Sequence, residues 1–117
     1  MLSFGKKPEY LCCGHTDMRK SINGLTILVK NSFRKDPFSE AVYVFCNKKR
    51  DRIKILEWDA DGFWVYFKRL ERGRFRWPGA GEEKTMVLTD EELRHLIGGA
   101  KLEKKLKRNE VLQRSVS

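Results

Sequence analysis

Cysteine is scarce in this chain of 117 residues, with Cys12, Cys13 and Cys46 the whole complement. The number is odd and two of the three are adjacent, which excludes a disulfide framework and leaves reduced thiols. Together with His15 they also make a poor zinc set, because no C-x-x-C spacing is present. Long apolar runs are missing too. Nothing approaches the roughly 18 to 20 residues of a membrane-spanning helix, and the opening MLSFGKKPEY has no apolar signal core, so a cytoplasmic protein is expected. Negative charge is in deficit: 16 Asp and Glu stand against 25 Lys and Arg, a formal charge of +9. Such an excess says nothing about fold, but it favours a polyanionic partner, nucleic acid first, through long-range attraction and counterion release.

The residues of ordinary active sites are equally sparse. His15 and His95 are the only histidines, and neither stands beside a nucleophile and an orienting carboxylate. The run GAG at 79–81 is not followed by Lys and Ser or Thr, so it is no phosphate loop. Asp59 and Asp61 form a D-x-D pair with no third ligand adjacent in sequence, which reads as a turn accepting backbone hydrogen bonds. The expectation is a protein without catalytic residues, metal or cofactor.

What is present suits one small core: hydrophobic residues make up 40% of the chain. YLCC at 10–13 reads as a short strand. Met18, Ile22, Leu25, Leu28 and Val29 recur at helical spacing behind a Thr16 or Asp17 cap, predicting a helix over 17–33 with Gly24 packed close to another element. RKDPFSE breaks it at Pro37. AVYVFC, RIKILEW and FWVYFKRL are rich in β-branched and aromatic residues and predict a three-stranded antiparallel meander. DADG between the last two suits a tight reversal, with Gly62 at positive φ. KTMVL at 84–88 reads as an edge strand. Thr89 with Glu92 forms a capping box opening a short helix that stops at Gly98 and Gly99.

Positive charge concentrates in the meander and beyond the second helix. Lys48, Lys49, Arg50, Arg52 and Lys54 cluster at one end, and RLERGRFRWP adds Arg69, Arg72, Arg74 and Arg76. If that run is extended, Arg72, Arg74 and Arg76 share one face while Phe75 and Trp77 point the other way. Pairing Trp58 with Phe63 across the hairpin sets Lys54 near Phe67 and Arg52 near Arg69. Like charges so placed want carboxylates, for which Glu57 and Glu71 are at hand, or an external anion. Phosphates are the functional answer, with Trp77 or Tyr66 available to stack on a base. Solvated charges whose stems cover apolar rings are the structural one.

Several segments are familiar together: TDMRKSINGL (16–25), DPFS (36–39), RDRIKILEWDADGFWVYFKRLERGRFRWP (50–78) and LTDEELRHLIGG (88–99). In this order the chain resembles the small accessory protein of the insertion sequence 66 family of bacterial transposons, the TnpB or second-reading-frame product. The resemblance implies a mobile-element protein encoded beside a larger transposase, needed for efficient transposition and with no enzymatic activity established. His15, Ala60 and the long basic tail depart from the family pattern; none touches the arginine run.

The fold expected is a single α+β domain over residues 1–100. Its twisted antiparallel sheet of four or five strands carries the longer helix on one face and a short helix after Thr89. The tail 101–117 is a helical extension or disordered. Met18, Ile22, Leu25, Leu28, Val42, Val44, Ile53, Ile55, Val65, Leu88, Leu93 and Leu96 are the expected core. For function, two readings stand. In one, an accessory subunit binds transposon DNA through Lys48, Lys49, Arg50, Arg52, Lys54, Arg69, Arg72, Arg74, Arg76 and Trp77 and helps assemble the transposase. In the other, an adaptor docks the transposase or a sister accessory protein without touching DNA.

Overall fold

The strand β2 (Val42–Cys46) keeps none of its five residues more than 1% exposed, so both of its faces are covered. That explains a sequence run with no polar alternation: VYVFC sits at the centre of the sheet, with helices on either side. The structure, a computed structural model, describes residues 4–98. Its elements run β1 (Glu9–Cys12), α1 (Ile22–Asn31), β2, β3 (Arg52–Asp59), β4 (Gly62–Arg69), β5 (Thr85–Leu88) and α2 (Asp90–Ile97), and the five strands lie in the order β4-β3-β2-β1-β5. The fold is α+β as expected, with the β2-β3-β4 meander and the β5 edge in place. One pair departs from the all-antiparallel sheet: β1 runs parallel to β2, with Tyr10 opposite Tyr43. The connection between them contains α1, and a helical crossover returns the chain in the same direction. The basic tail expected at 101–117 lies outside the described residues.

Two apolar layers flank the sheet. Leu25 and Val29 of α1 pack with Cys12, Tyr43, Phe45 and Leu56 on one face. Leu93, Leu96 and Ile97 of α2 pack with Leu11, Val42, Val44, Ile53, Ile55 and Phe75 on the other. Each of the Val, Leu, Ile and Phe side chains among these contributes roughly 1.5–3 kcal/mol on full burial. Of the expected core, Met18, Leu28, Val65 and Leu88 are only partly buried, and Ile22 is 38% exposed on the outer side of α1. Tyr43, Phe45, Leu56 and Phe75 are core residues that alternation on a single covered face does not select.

The helix α1 is shorter than 17–33 because Asp17 bends the chain instead of capping it. Its carboxylate accepts from the Arg19 backbone N–H at 2.9 Å and clamps the Arg19 guanidinium at 2.7–3.1 Å, a local alternative to helical bonding. The N-cap is Ser21, with no side-chain capping bond. At Gly24 a Cβ would meet Lys20 Cβ at 3.1 Å, so the close neighbour is the preceding turn and not another element. The helix ends with Lys35 N–H donating to the Val29 carbonyl at 2.9 Å and with Arg34 at φ +55°, where glycine is usual. At α2 the capping box is present in full: Thr89 Oγ1 accepts from Glu92 N–H at 3.0 Å, and Glu92 Oε1 accepts from Thr89 N–H at 2.8 Å. Lys68 of β4 donates its ammonium to the Ile97 carbonyl at the far end of that helix, and burial lowers its pKa to about 8.

The β3-β4 reversal places the left-handed residue differently from expectation. Ala60 has φ +54°, Gly62 does not, and Asp61 N–H bonds the Asp59 carbonyl at 2.5 Å around it. A Cβ in this region costs about 1 kcal/mol or more, and glycine's looser unfolded chain returns part of that. Ala60→Gly is therefore expected to stabilise the domain by about 0.5 kcal/mol, read as a small rise in the thermal midpoint. A lower midpoint would contradict the strain.

Glu9 is the odd residue of the inner strands. It is 4% exposed, and its Oε1 has no hydrogen-bond partner. Burial, with the Asp90 carboxylate nearby and Arg94 only partly offsetting it, lifts its pKa from 4.5 to about 7. Because the folded value stands above the unfolded one, the folded state holds the proton more tightly. That advantage is full below about pH 4.5 and is lost as pH rises to about 7. Glu9→Gln is expected to leave stability near pH 4 unchanged and to raise it by about 2–3 kcal/mol at pH 8, measured as urea midpoints across that range. Parallel pH profiles for the two proteins would rule this out.

Candidate nucleic-acid interface

One end of the sheet is built by Asn47. Its amide donates to Asp51 Oδ1 at 2.6 Å, and its Oδ1 accepts from the Asp51 and Arg52 backbone N–H groups, both at 3.0 Å. Arg50 completes the turn at φ +62°, its N–H on the Asn47 carbonyl at 3.1 Å. The Asn47 amide also draws the Asp51 pKa below its usual value, so this carboxylate is spent on the turn. Lys48, Lys49 and Arg50 are left projecting into solvent.

The segment after β4 is not the extended piece that the alternation suggested. Residues 70–77 form an irregular loop, and Gly73 at φ +75° is incompatible with a strand. Backbone bonds lock this loop onto the Asn47 turn: Leu70 N–H to the Asp51 carbonyl and Phe75 N–H to the Arg50 carbonyl, each 2.7 Å. Phe75 is 1% exposed and sits in the α2-side core, with Leu70 and Trp77 packed against the same cluster. Arg72, Arg74 and Arg76 alternate with these anchors and are exposed. Alternation of buried ring and free guanidinium thus survives without a strand to impose it.

The predicted hairpin register is present, with Trp58 opposite Phe63, Lys54 opposite Phe67 and Arg52 opposite Arg69. The two glutamates have separate fates. Glu57, buried at 8% exposure, is held by Lys7 and by the Tyr66 hydroxyl, each at 2.8 Å, and does not serve the cationic end. Glu71 pairs with Arg69 at 2.8 Å. The Lys54 ammonium donates to the Lys20 carbonyl at 2.8 Å. Among the described residues, Lys48, Lys49, Arg50, Arg52, Arg72, Arg74 and Arg76 have no carboxylate within ion-pair distance. Two interlocked loops and the first residue of β3 therefore carry these cations on one end of the sheet, where each raises the electrostatic cost of the next.

The aromatic residues expected to stack are engaged elsewhere. Trp77 is half-buried, its indole N–H on the Cys12 carbonyl at 2.9 Å, and Tyr66 meets the Phe4 ring edge-on at 5.5 Å. Phe67 of β4, opposite Lys54, is an exposed ring nearer this end, at 55%, whereas the exposed Trp64 lies toward the Asp59–Gly62 turn. Sequence reasoning set Phe75 opposite the arginines but left it out of the core, and it missed Asn47 as the residue that shapes this turn. The signals were an asparagine closing a strand before KKRD, and a lone phenylalanine inside an arginine run.

The remaining candidates have structural positions. Asp59 accepts from the Trp64 indole at 3.1 Å and closes the hairpin turn through its carbonyl. Cys12 and Cys46 belong to the apolar layers on opposite faces of the sheet, and burial raises both thiols, Cys46 to about 12. No helix of the described residues is long and apolar enough to cross a membrane.

A family model described as IS66 Orf2 like protein matches residues 7–107. An uncharacterized protein of Sinorhizobium fredii, y4hO, is 31% identical over 90 residues, covering 77% of each chain. A second from the same organism, y4jC, is 32% identical over 83 residues, covering 71% of this chain and 70% of its own. No solved structure matches.

Proposed function

The chain belongs to the IS66 Orf2-like family of insertion-sequence proteins, and from that premise we propose that it is a non-catalytic accessory protein that grips transposon DNA and helps assemble the transposase on it. The observation that carries this reading is the set of seven cations, at the Asn47 turn, at the start of β3 and on the 70–77 loop, that lack carboxylate partners among the described residues. Guanidinium groups held on a buttressed loop lose little conformational freedom on meeting phosphates, and each contact releases a condensed counterion. Such contacts position a protein on a duplex without reading its sequence, so sequence preference belongs to the transposase or to groove contacts made elsewhere.

Fluorescence anisotropy with a transposon-end duplex and a random duplex, across a salt series, tests the reading. Seven engaged phosphates give a logarithmic salt slope of about −6. A flat salt dependence overturns it. Capture of the transposase after nuclease treatment, in a protein that does not bind duplex, would establish the adaptor in its place.

A further inference from the structure

Away from the Asn47 turn, the end of α1 and the loop after it surround an open cleft of about 490 Å³, lined by Lys30, Arg34, Lys35, Asp36, Pro37 and Phe38. Three cations face one carboxylate. Asp36 is partly committed, since its Oδ1 accepts from Phe38 N–H at 2.9 Å. Lys30 and Arg34 are exposed and have no ion-pair partner among the described residues, and the Lys35 ammonium rests 4.3 Å from the centre of the Tyr10 ring. Phe38 is 58% exposed yet held on its inner side, with Trp58 at 5.2 Å and Phe63 at 5.4 Å between ring centres. It is a fixed ring with an open face beside three cations.

We propose that this cleft is a second nucleic-acid site that takes an unpaired strand, its phosphates against Lys30, Arg34 and Lys35 and one base stacked on Phe38; the choice of nucleic acid as partner rests on the function proposed above. Cations that track a backbone beside an aromatic platform are the recurring arrangement for single strands, where every base offers a ring face. A duplex, whose bases are already stacked on one another, gains nothing from Phe38. The helix C-terminus works against an anion, but the Leu28 and Val29 carbonyls are already bonded by the N–H groups of Ser32, Phe33 and Lys35, and three cations outweigh the remaining dipole. Arg34 occupies the left-handed position at which glycine would relieve strain, so a guanidinium is kept there at a cost in stability.

The cleft is distinct from the duplex-gripping end. Lys35 lies over Tyr10, which belongs to the α1-side layer, whereas Phe75 anchors the arginine loop in the α2-side layer. Along β3, the Phe38 contact Trp58 is roughly 20 Å from Arg52, from six residues at a strand's rise. A duplex on the loops leaves the cleft open to a strand that has separated from it.

The test uses the full chain and labelled oligothymidylate, with duplex binding measured alongside. Phe38→Ala is expected to weaken oligothymidylate binding about tenfold or more, in line with the loss of one stacked base, and to leave duplex binding unchanged. Arg34→Gly is expected to melt at or above the parent's temperature while binding oligothymidylate more weakly, a pair of effects that unfolding cannot produce. Failure of the parent chain to bind oligothymidylate, or equal affinity in the parent and in Phe38→Ala combined with Lys30→Glu, overturns the proposal. Should duplex binding prove salt-independent while these variants still lose the single strand, the duplex reading falls and the cleft stands. Should Arg72, Arg74 and Arg76 alone govern both ligands, the cleft falls and the duplex reading stands.

Discussion

Phe75→Ala is expected to destabilise the domain by about 3–5 kcal/mol and to weaken duplex binding through a residue that carries no charge. The ring is 1% exposed and fills the α2-side layer among Val44, Ile53 and Leu93, so its removal leaves a cavity that β-strand backbone cannot collapse to fill. Domains of this size are stable by about 5–15 kcal/mol, so the loss is a large share of the whole. The binding effect has a separate origin. Phe75 N–H is bonded to the Arg50 carbonyl at 2.7 Å, and without the ring the stretch that carries the arginines keeps that bond but loses its central anchor between Leu70 and Trp77. Arg72, Arg74 and Arg76 would then have to be ordered by the DNA, and that entropy is charged to binding. Chemical denaturation gives the first number and anisotropy in cold, low-salt buffer the second. Phe75→Leu, which keeps most of the volume, should recover the larger part of both. An unchanged denaturation midpoint for Phe75→Ala would refute the anchoring role.

Replacing Arg72, Arg74 and Arg76 together by alanine should do the reverse. Stability should move by less than about 0.5 kcal/mol, since all three are exposed and make no ion pair among the described residues. Duplex affinity at low salt should fall about a hundredfold, and the logarithmic salt slope should become shallower by about 3, one for each phosphate contact removed. Arg69→Ala is the internal control: Glu71 already neutralises it at 2.8 Å, so its loss should change the slope by much less. A triple variant that binds duplex like the parent would remove the loop from the interface.

The hairpin was the most legible part of the sequence, and its register is right because local and non-local signals agree there. Trp58 and Phe63 flank a turn-forming DADG, and the β-branched and aromatic residues on either side admit one pairing. The start of α1 was obscured because Asp17 suits a helix cap and a bend equally well, and Arg19 decides for the bend through a contact that periodicity does not encode. The parallel β1-β2 pair was hidden since YLCC is too short to declare a direction, and only the crossover of α1 fixes it. For the candidate site, the outward arginines could be read from the alternation of Arg and Phe, but their setting could not. Nothing in RGRFRW announces that Phe75 donates to a carbonyl on a turn twenty-five residues earlier. The spent carboxylate at Glu57 was likewise invisible, because Lys7 reaches it from 50 residues away.

The join between the two loops is made of main-chain groups: Leu70 and Phe75 offer amides, and Asp51 and Arg50 offer carbonyls. Such a seam is indifferent to which side chains surround it. Mutational drift can therefore exchange lysine for arginine, or shift a cation by one position, and retune the field at this end of the sheet without rebuilding the platform beneath. Asn47 and Phe75 do not share that latitude.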